Sequence, residues 1–189
     1  MLNSQGVTSE HKLGEVGTEI APELAPDSEG AARVDALLRH VCHLARSLTG
    51  AEQAALALQA TVDDAPRKYF SLSAAYASWR DYRPDPKGLG LHGLEIPPGD
   101  VVRLTQAEVE AHPAWQNFGD QAADHPPMRG WLATAVCGEG GYRYGLLQLS
   151  DKSAGADFTE EDELRLRELA ELVGAALDAL RFSHERATA

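Results

Sequence analysis

The residues able to do chemistry are few in this chain and scattered along it. His125 heads the run His125-Pro126-Pro127-Met128-Arg129. Two prolines fix the backbone beside the imidazole, so its ring is mounted to face whatever cavity the neighbouring loops enclose. Cys42 and Cys137 are the two thiols; they are too few for a disulfide scaffold and their spacing matches no zinc pattern. His40 and His43, three apart, could clamp a metal from one side of a helix, but no third ligand lies near and both fall off the apolar stripe. The chain contains no dinucleotide fingerprint, phosphate loop, Ser-His-Asp signature or HExxH. Catalysis is not expected. On placement, Met128, Trp131, Trp115, Phe118, Tyr69 and Tyr76 are the groups to line a cavity with His125, and each of them would serve equally as core.

These groups need elements to hold them. Residues 1–27 are polar and acidic with no sustained period, and are expected to form a disordered tail. From Ser28 to Thr49 the spacing of Val34, Leu37, Leu38, Val41, Leu44, Ala45 and Leu48 predicts an amphipathic helix, with Gly50 as a left-handed cap and Cys42 as a packing residue. Gln53–Ala60 and Tyr69–Tyr76 read as strands. The Pro- and Gly-rich stretch from Ser78 to Gly99 is long for a loop in a compact domain and is a candidate cavity wall. Val101–Leu104 reads as a brief strand, and Thr105 with Glu108 as a capping box opening a short helix through Ala111. Trp131–Cys137 and Tyr142–Ser150 form a hairpin around Gly138–Gly141, with Leu147 and Leu149 on one side and Leu146 and Gln148 on the other. Asp151-Lys152 reads as a turn with its charges in solvent, and Gly145 marks a close approach by another element. Thr159 caps a last helix whose main stripe runs from Leu166 to Leu180. A second apolar face on it, Leu164, Leu172, Ala175 and Ala179, suits a dimer seam.

Seventeen Lys and Arg against 29 Asp and Glu give a net charge of -12. Such a field repels phosphate backbones and anionic lipid, so neither nucleic acid nor membrane is an expected partner. No stretch approaches the roughly eighteen unbroken apolar residues of a span, which points to a cytoplasmic location.

The segments HPPMRGWLATAV, YGLLQLSDKSAGADFTEEDE and the closing leucine- and alanine-rich helix resemble the GAF domains of bacterial signalling proteins. The resemblance implies an α+β fold over residues 28–186. It would have a GAF-like antiparallel β-sheet, N- and C-terminal helices packed on one face, and a ligand cavity under loops on the other. It further implies a sensory or regulatory domain, homodimeric, that binds a small molecule and relays it through its terminal helices to a signalling partner such as a histidine kinase or cyclase. A ligand-free dimerisation or interaction module is the alternative. The His-Pro-Pro-Met-Arg run also resembles that of haem-based sensor kinases, which by position would make His125 a proximal haem ligand. Their Leu-Gly-Val-Pro is replaced here by Leu132-Ala133-Thr134-Ala135. The cysteines match nothing in the GAF-fold methionine sulfoxide reductase, and Asp124 stands where bilin-binding relatives carry a cysteine.

Overall fold

The computed structural model describes residues 28–59, 67–81, 90–115 and 125–188. The expected tail and Phe118 lie outside them. In chain order the described elements are α1 (Ser28–Thr49), β1 (Ala51–Leu58), β2 (Arg67–Leu72), a 3-10 turn (Ala74–Trp79), a second 3-10 turn (Leu91–Gly93), β3 (Val101–Leu104), α2 (Gln106–Ala111), β4 (Trp131–Cys137), β5 (Arg143–Lys152) and α3 (Glu160–Thr188). The strands form one sheet in the order β2-β1-β5-β4-β3, antiparallel at every pairing.

β5 is central and apolar on both faces, so the sheet must be covered twice. Leu147 and Leu149 of β5, Leu132 and Val136 of β4, and Ala54, Leu56 and Leu58 of β1 face the helices. There they meet Val34, Leu38, Val41, Cys42 and Ala45 of α1, and Leu166, Leu169, Val173 and Leu177 of α3. Each leucine buried this completely contributes about 2 kcal/mol, which makes this layer the main source of stability. The opposite face carries a smaller cluster in which Trp131, Ala133 and Leu146 pack against Leu91, Ile96 and Val109.

Local signals survive well. Gly50 takes φ 69°, and Thr105 and Glu108 close the expected capping box. Thr159 and Asp162 cap α3 in the same reciprocal manner. Gly145 is required as expected, because a Cβ there would lie 2.0 Å from the Ala57 carbonyl oxygen.

Four expectations need correction. Leu37, Leu44 and Leu48 are 42–47% exposed; the buried arc of α1 is centred instead on Leu38, Cys42 and Ala45, because the sheet presses on that side. β1 spans Ala51–Leu58 rather than starting at Gln53 and running to Ala60. β2 ends at Leu72, and Tyr76 sits in the 3-10 turn that follows. Asp151 and Lys152 do not point to solvent: Asp151 is 1% exposed and Lys152 is paired with Asp162 at the start of α3.

Candidate functional site

Alternation along each strand sends Gln53, Ala55 and Ala57 of β1 to the side away from the helices. The register then sets one row across that face: Phe70, Ala55, Gln148, Ala133 and Val102. Two alanines flank the glutamine. Ala55 and Ala57 are only half-buried, whereas Ala54, Leu56 and Leu58 on the helix side are buried. The loop-facing side of the sheet thus carries small side chains over β1 beside Gln148 of β5, with Phe70, itself 42% exposed, at one edge.

The Gln148 side chain stands on this face and is held from two directions. Its Oε1 accepts from the Trp131 indole N–H at 3.0 Å, across the diagonal that the β4–β5 register provides. The same oxygen meets His92 Nδ1 at 2.8 Å. An indole nitrogen only donates, so the atom facing it must be the amide oxygen; that oxygen only accepts, so His92 carries its proton on Nδ1. Nε2 of His92 is then a lone-pair acceptor. Surrounding protein lowers the His92 pKa by desolvation, and the charge of Lys68 acts in the same direction against the Gln148 bond. His92 itself is exposed.

His125 is half-buried nearby, with Nδ1 2.5 Å from the Pro126 carbonyl oxygen, so its proton too belongs on Nδ1. Desolvation lowers its pKa, and the proximity of His92 lowers it further. In both imidazoles the shift favours the neutral form.

One carboxylate fixes the segment that carries His125. Asp151 accepts from the Arg129 backbone N–H at 2.8 Å and from its Nε at 3.1 Å, and from Gln53 Nε2 at 3.2 Å. Gln53 Nε2 also donates to the Pro127 carbonyl at 2.8 Å, and Arg129 Nη2 donates to the Tyr76 hydroxyl at 2.8 Å. Burial raises the Asp151 pKa against the pull of these donors. The next residues extend the junction: Lys152 pairs with Asp162 at the start of α3, and Ser153 N–H donates to the Gly50 carbonyl at the end of α1. The segment that carries His125 and both long helices thus meet at the end of β5.

With this geometry in place, the likeness to known proteins is informative. A family model described as GAF domain matches residues 31–178. The chain belongs to the GAF domain family. Among solved structures, the GAF domain of Thermosynechococcus elongatus PixJ in its blue-light-absorbing form is similar with a TM-score of 0.64 at 15% identity, covering 87% of this chain and 96% of that one. GAF3 from Slr1393 of Synechocystis sp. PCC6803, in its photoproduct state, gives 0.61 at 13% identity, covering 80% and 98%. The GAF domain of a Coxiella burnetii phosphoenolpyruvate-protein phosphotransferase gives 0.55 at 20%, covering 89% and 87%. Likeness at these identities is likeness of fold.

Within this GAF domain, Trp131, Met128 and Trp115 do share the loop-facing cluster, and Trp131 forms its floor at 1% exposure. Tyr76 belongs to the Asp151–Arg129 clamp at its margin. Tyr69 is elsewhere: its side chain faces the helices and its hydroxyl donates to Asp35 of α1 at 2.7 Å, since the register pairs it with the inward Leu56. Sequence reading passed over His92 and Gln148 as site residues. The alternation that put Gln148 opposite the leucines was the available signal for one; nothing local marked the other. A depression of about 230 Å3 lies on the helix side between Gly99, Cys137 and Arg167, whose Nε donates to the Gly99 carbonyl at 2.9 Å. His40 and His43 are exposed, edge to face at 6.1 Å, and among the described residues no cluster of three or more metal-ligating side chains occurs.

Proposed function

We propose that this GAF domain is a non-catalytic, cytoplasmic sensory module that binds a small molecule on the loop-facing side of β1 and β5 and passes the bound state to a partner through α1 and α3. The observation that carries this reading is the pair His92–Gln148, two polar side chains oriented by Trp131 over an alanine floor, with hydrogen-bonding capacity left over. A mostly apolar surface with a few oriented polar groups is the usual composition of a small-molecule site. The junction at Asp151–Ser153 supplies the mechanical link, because movement of the His125–Arg129 segment acts on the same few residues that anchor the two helices. Neither thiol supports catalysis: burial pushes the Cys42 thiol up to about 12 and raises that of Cys137, so both are poor nucleophiles at neutral pH. No helix among the described residues is long and apolar enough to cross a membrane.

Homodimerisation is part of the proposal. Leu37, Leu44 and Leu48 on α1 and Leu164, Leu172 and Phe182 on α3 are all more than 40% exposed. The two helices pack side by side, with Arg165 donating to the Leu48 carbonyl at 2.8 Å, so these residues lie on adjoining helices of the same layer. Exposed apolar surface gathered in this way marks an association surface. Native mass spectrometry with an absorption spectrum, on protein purified from its own host, tests both parts. A dimer carrying a retained small molecule is expected, converted to monomer by Leu44→Glu with Leu172→Glu and stripped of the molecule by Ala55→Leu. A ligand-free dimer unaffected by Ala55→Leu would replace the sensor with a dimerisation module.

A further inference from the structure

The depression beside Cys137 lies on the helix side of the sheet, apart from the loop-facing side, and its lining divides in two. Its inner part is small and apolar. Ala135 of β4 and Ala170 of α3 are buried there, and Thr134 donates its hydroxyl to the Asp100 carbonyl at 2.7 Å. The half-buried Cys137 thiol joins them, kept neutral because burial raises its pKa. The outer part is charged. Arg167 and Glu171 stand one turn apart on the same side of α3, about 6 Å along its axis. Opposite charges at this spacing commonly pair, but here Arg167 Nε is drawn to the Gly99 carbonyl at 2.9 Å. Among the described residues the Nη groups of Arg167 and the carboxylate of Glu171 have no partner.

We propose that this depression is an effector site, separate from the loop-facing side, for an α-amino acid with a short apolar side chain. The carboxylate of the amino acid pairs with the Arg167 Nη groups, its ammonium pairs with Glu171, and its side chain enters the small-residue part. An anion alone would face the Glu171 charge, and a cation alone the Arg167 charge; a zwitterion meets both. At about 230 Å3 the volume falls below the roughly 300–1,000 Å3 of pockets for drug-sized ligands, which limits the occupant to a few carbons beyond its charged groups. The lining joins α3 to Pro98 and Gly99 ahead of β3 and to Gly138 beyond β4, so an occupant holds α3 against the sheet.

L-Valine tests the site against two molecules that each lack one of its charges, 3-methylbutanoate without the ammonium and 2-methylpropylamine without the carboxylate. Each is titrated into the whole chain while the backbone amide resonances of Gly99, Gly138 and Gly141 and the Trp131 indole resonance are followed. L-Valine is expected to shift the three glycines and leave Trp131 unmoved, with each single-charge molecule binding about fivefold more weakly for the loss of one partly exposed ion pair. Glu171→Lys changes an exposed position, so the fold is retained, and it should reverse the order by weakening L-valine and strengthening 3-methylbutanoate. No shift of the glycines by L-valine overturns the proposal. So does a shift of Trp131 in their place, which would put the amino acid on the loop-facing side. Equal binding of L-valine and either single-charge molecule, or an unchanged order in Glu171→Lys, overturns it too.

Discussion

Replacing Asp151 tests the junction most directly, and the structure fixes the order of the variants. Its φ of 57° lies in the left-handed region, where alanine is disfavoured by about 1 kcal/mol and glycine is not. Its carboxylate takes the Arg129 backbone N–H, a charge-assisted bond contributing about 2 kcal/mol. The Arg129 guanidinium side chain is 53% exposed, so the ion pair adds at most about 1 kcal/mol. Gln53 keeps its bond to Pro127, and losing its second acceptor costs about 0.5 kcal/mol. Against this, burial raises the Asp151 pKa, so holding the charge is itself unfavourable and removing it offsets part of the loss. Asp151→Gly is therefore expected to lose about 2 kcal/mol and Asp151→Ala about 3 kcal/mol. Asp151→Asn, which keeps an acceptor for Arg129 and tolerates positive φ, should lose about 1 kcal/mol. The glycine variant being the more stable of the first two reverses the usual preference for alanine. Urea denaturation at pH 7 measures all three. An alanine variant within about 0.5 kcal/mol of the parent, or one more stable than the glycine variant, refutes the account of the junction.

Further outcomes follow from other contacts. Gly174→Ala would stabilise an ordinary helix by about 1 kcal/mol, but here a Cβ would lie 1.9 Å from the Cys137 carbonyl oxygen, so α3 must shift from β4 and the urea midpoint should fall by an equivalent of about 2 kcal/mol. Asp162 is buried, which alone would raise its pKa, yet Lys152 and Thr159 hold it below the usual carboxylate range. Its folded value being the lower one, its contribution is present above the unfolded value of about 3.9 and is lost as pH falls through the folded one. Asp162→Asn should thus be less stable than the parent at pH 6, and the gap should close on acidification; a gap independent of pH would contradict the assignment. Hemin titration is expected to leave the free-hemin spectrum unchanged, because Leu91, Ile96, Trp131 and Leu146 fill the loop-facing side of the sheet at 5% exposure or less. A Soret shift that His125→Ala abolishes would make the domain a haem sensor instead.

What was legible in the sequence had local causes. The 3.6- and 2-residue periods placed both long helices and β4, β5 and β3, Gly145 announced its close contact, and the capping box at Thr105–Glu108 needs only four residues. The helical period, however, gives an arc of apolar residues without saying which part of it is pressed on. Leu37, Leu44 and Leu48 fit the period as well as Cys42 does, and only the position of the sheet beneath α1 decided between them. Tyr69 failed as a site residue for a related reason: strand alternation gives two sides, and the pairing of Tyr69 with Leu56 chose the helix side.

The sequence by itself determined a GAF fold, the strands that carry it and the loop face on which Trp131 and Met128 meet. Tertiary structure decided what the polar groups do. Asp151 reads as a solvated turn residue until Arg129, 22 positions away, and Gln53, 98 positions away, are brought to its carboxylate. His92 gains its tautomer from a glutamine 56 positions along the chain. Hydrogen bonds act over about 3 Å and between particular atoms, so a polar side chain's role is settled by neighbours that the chain order does not supply.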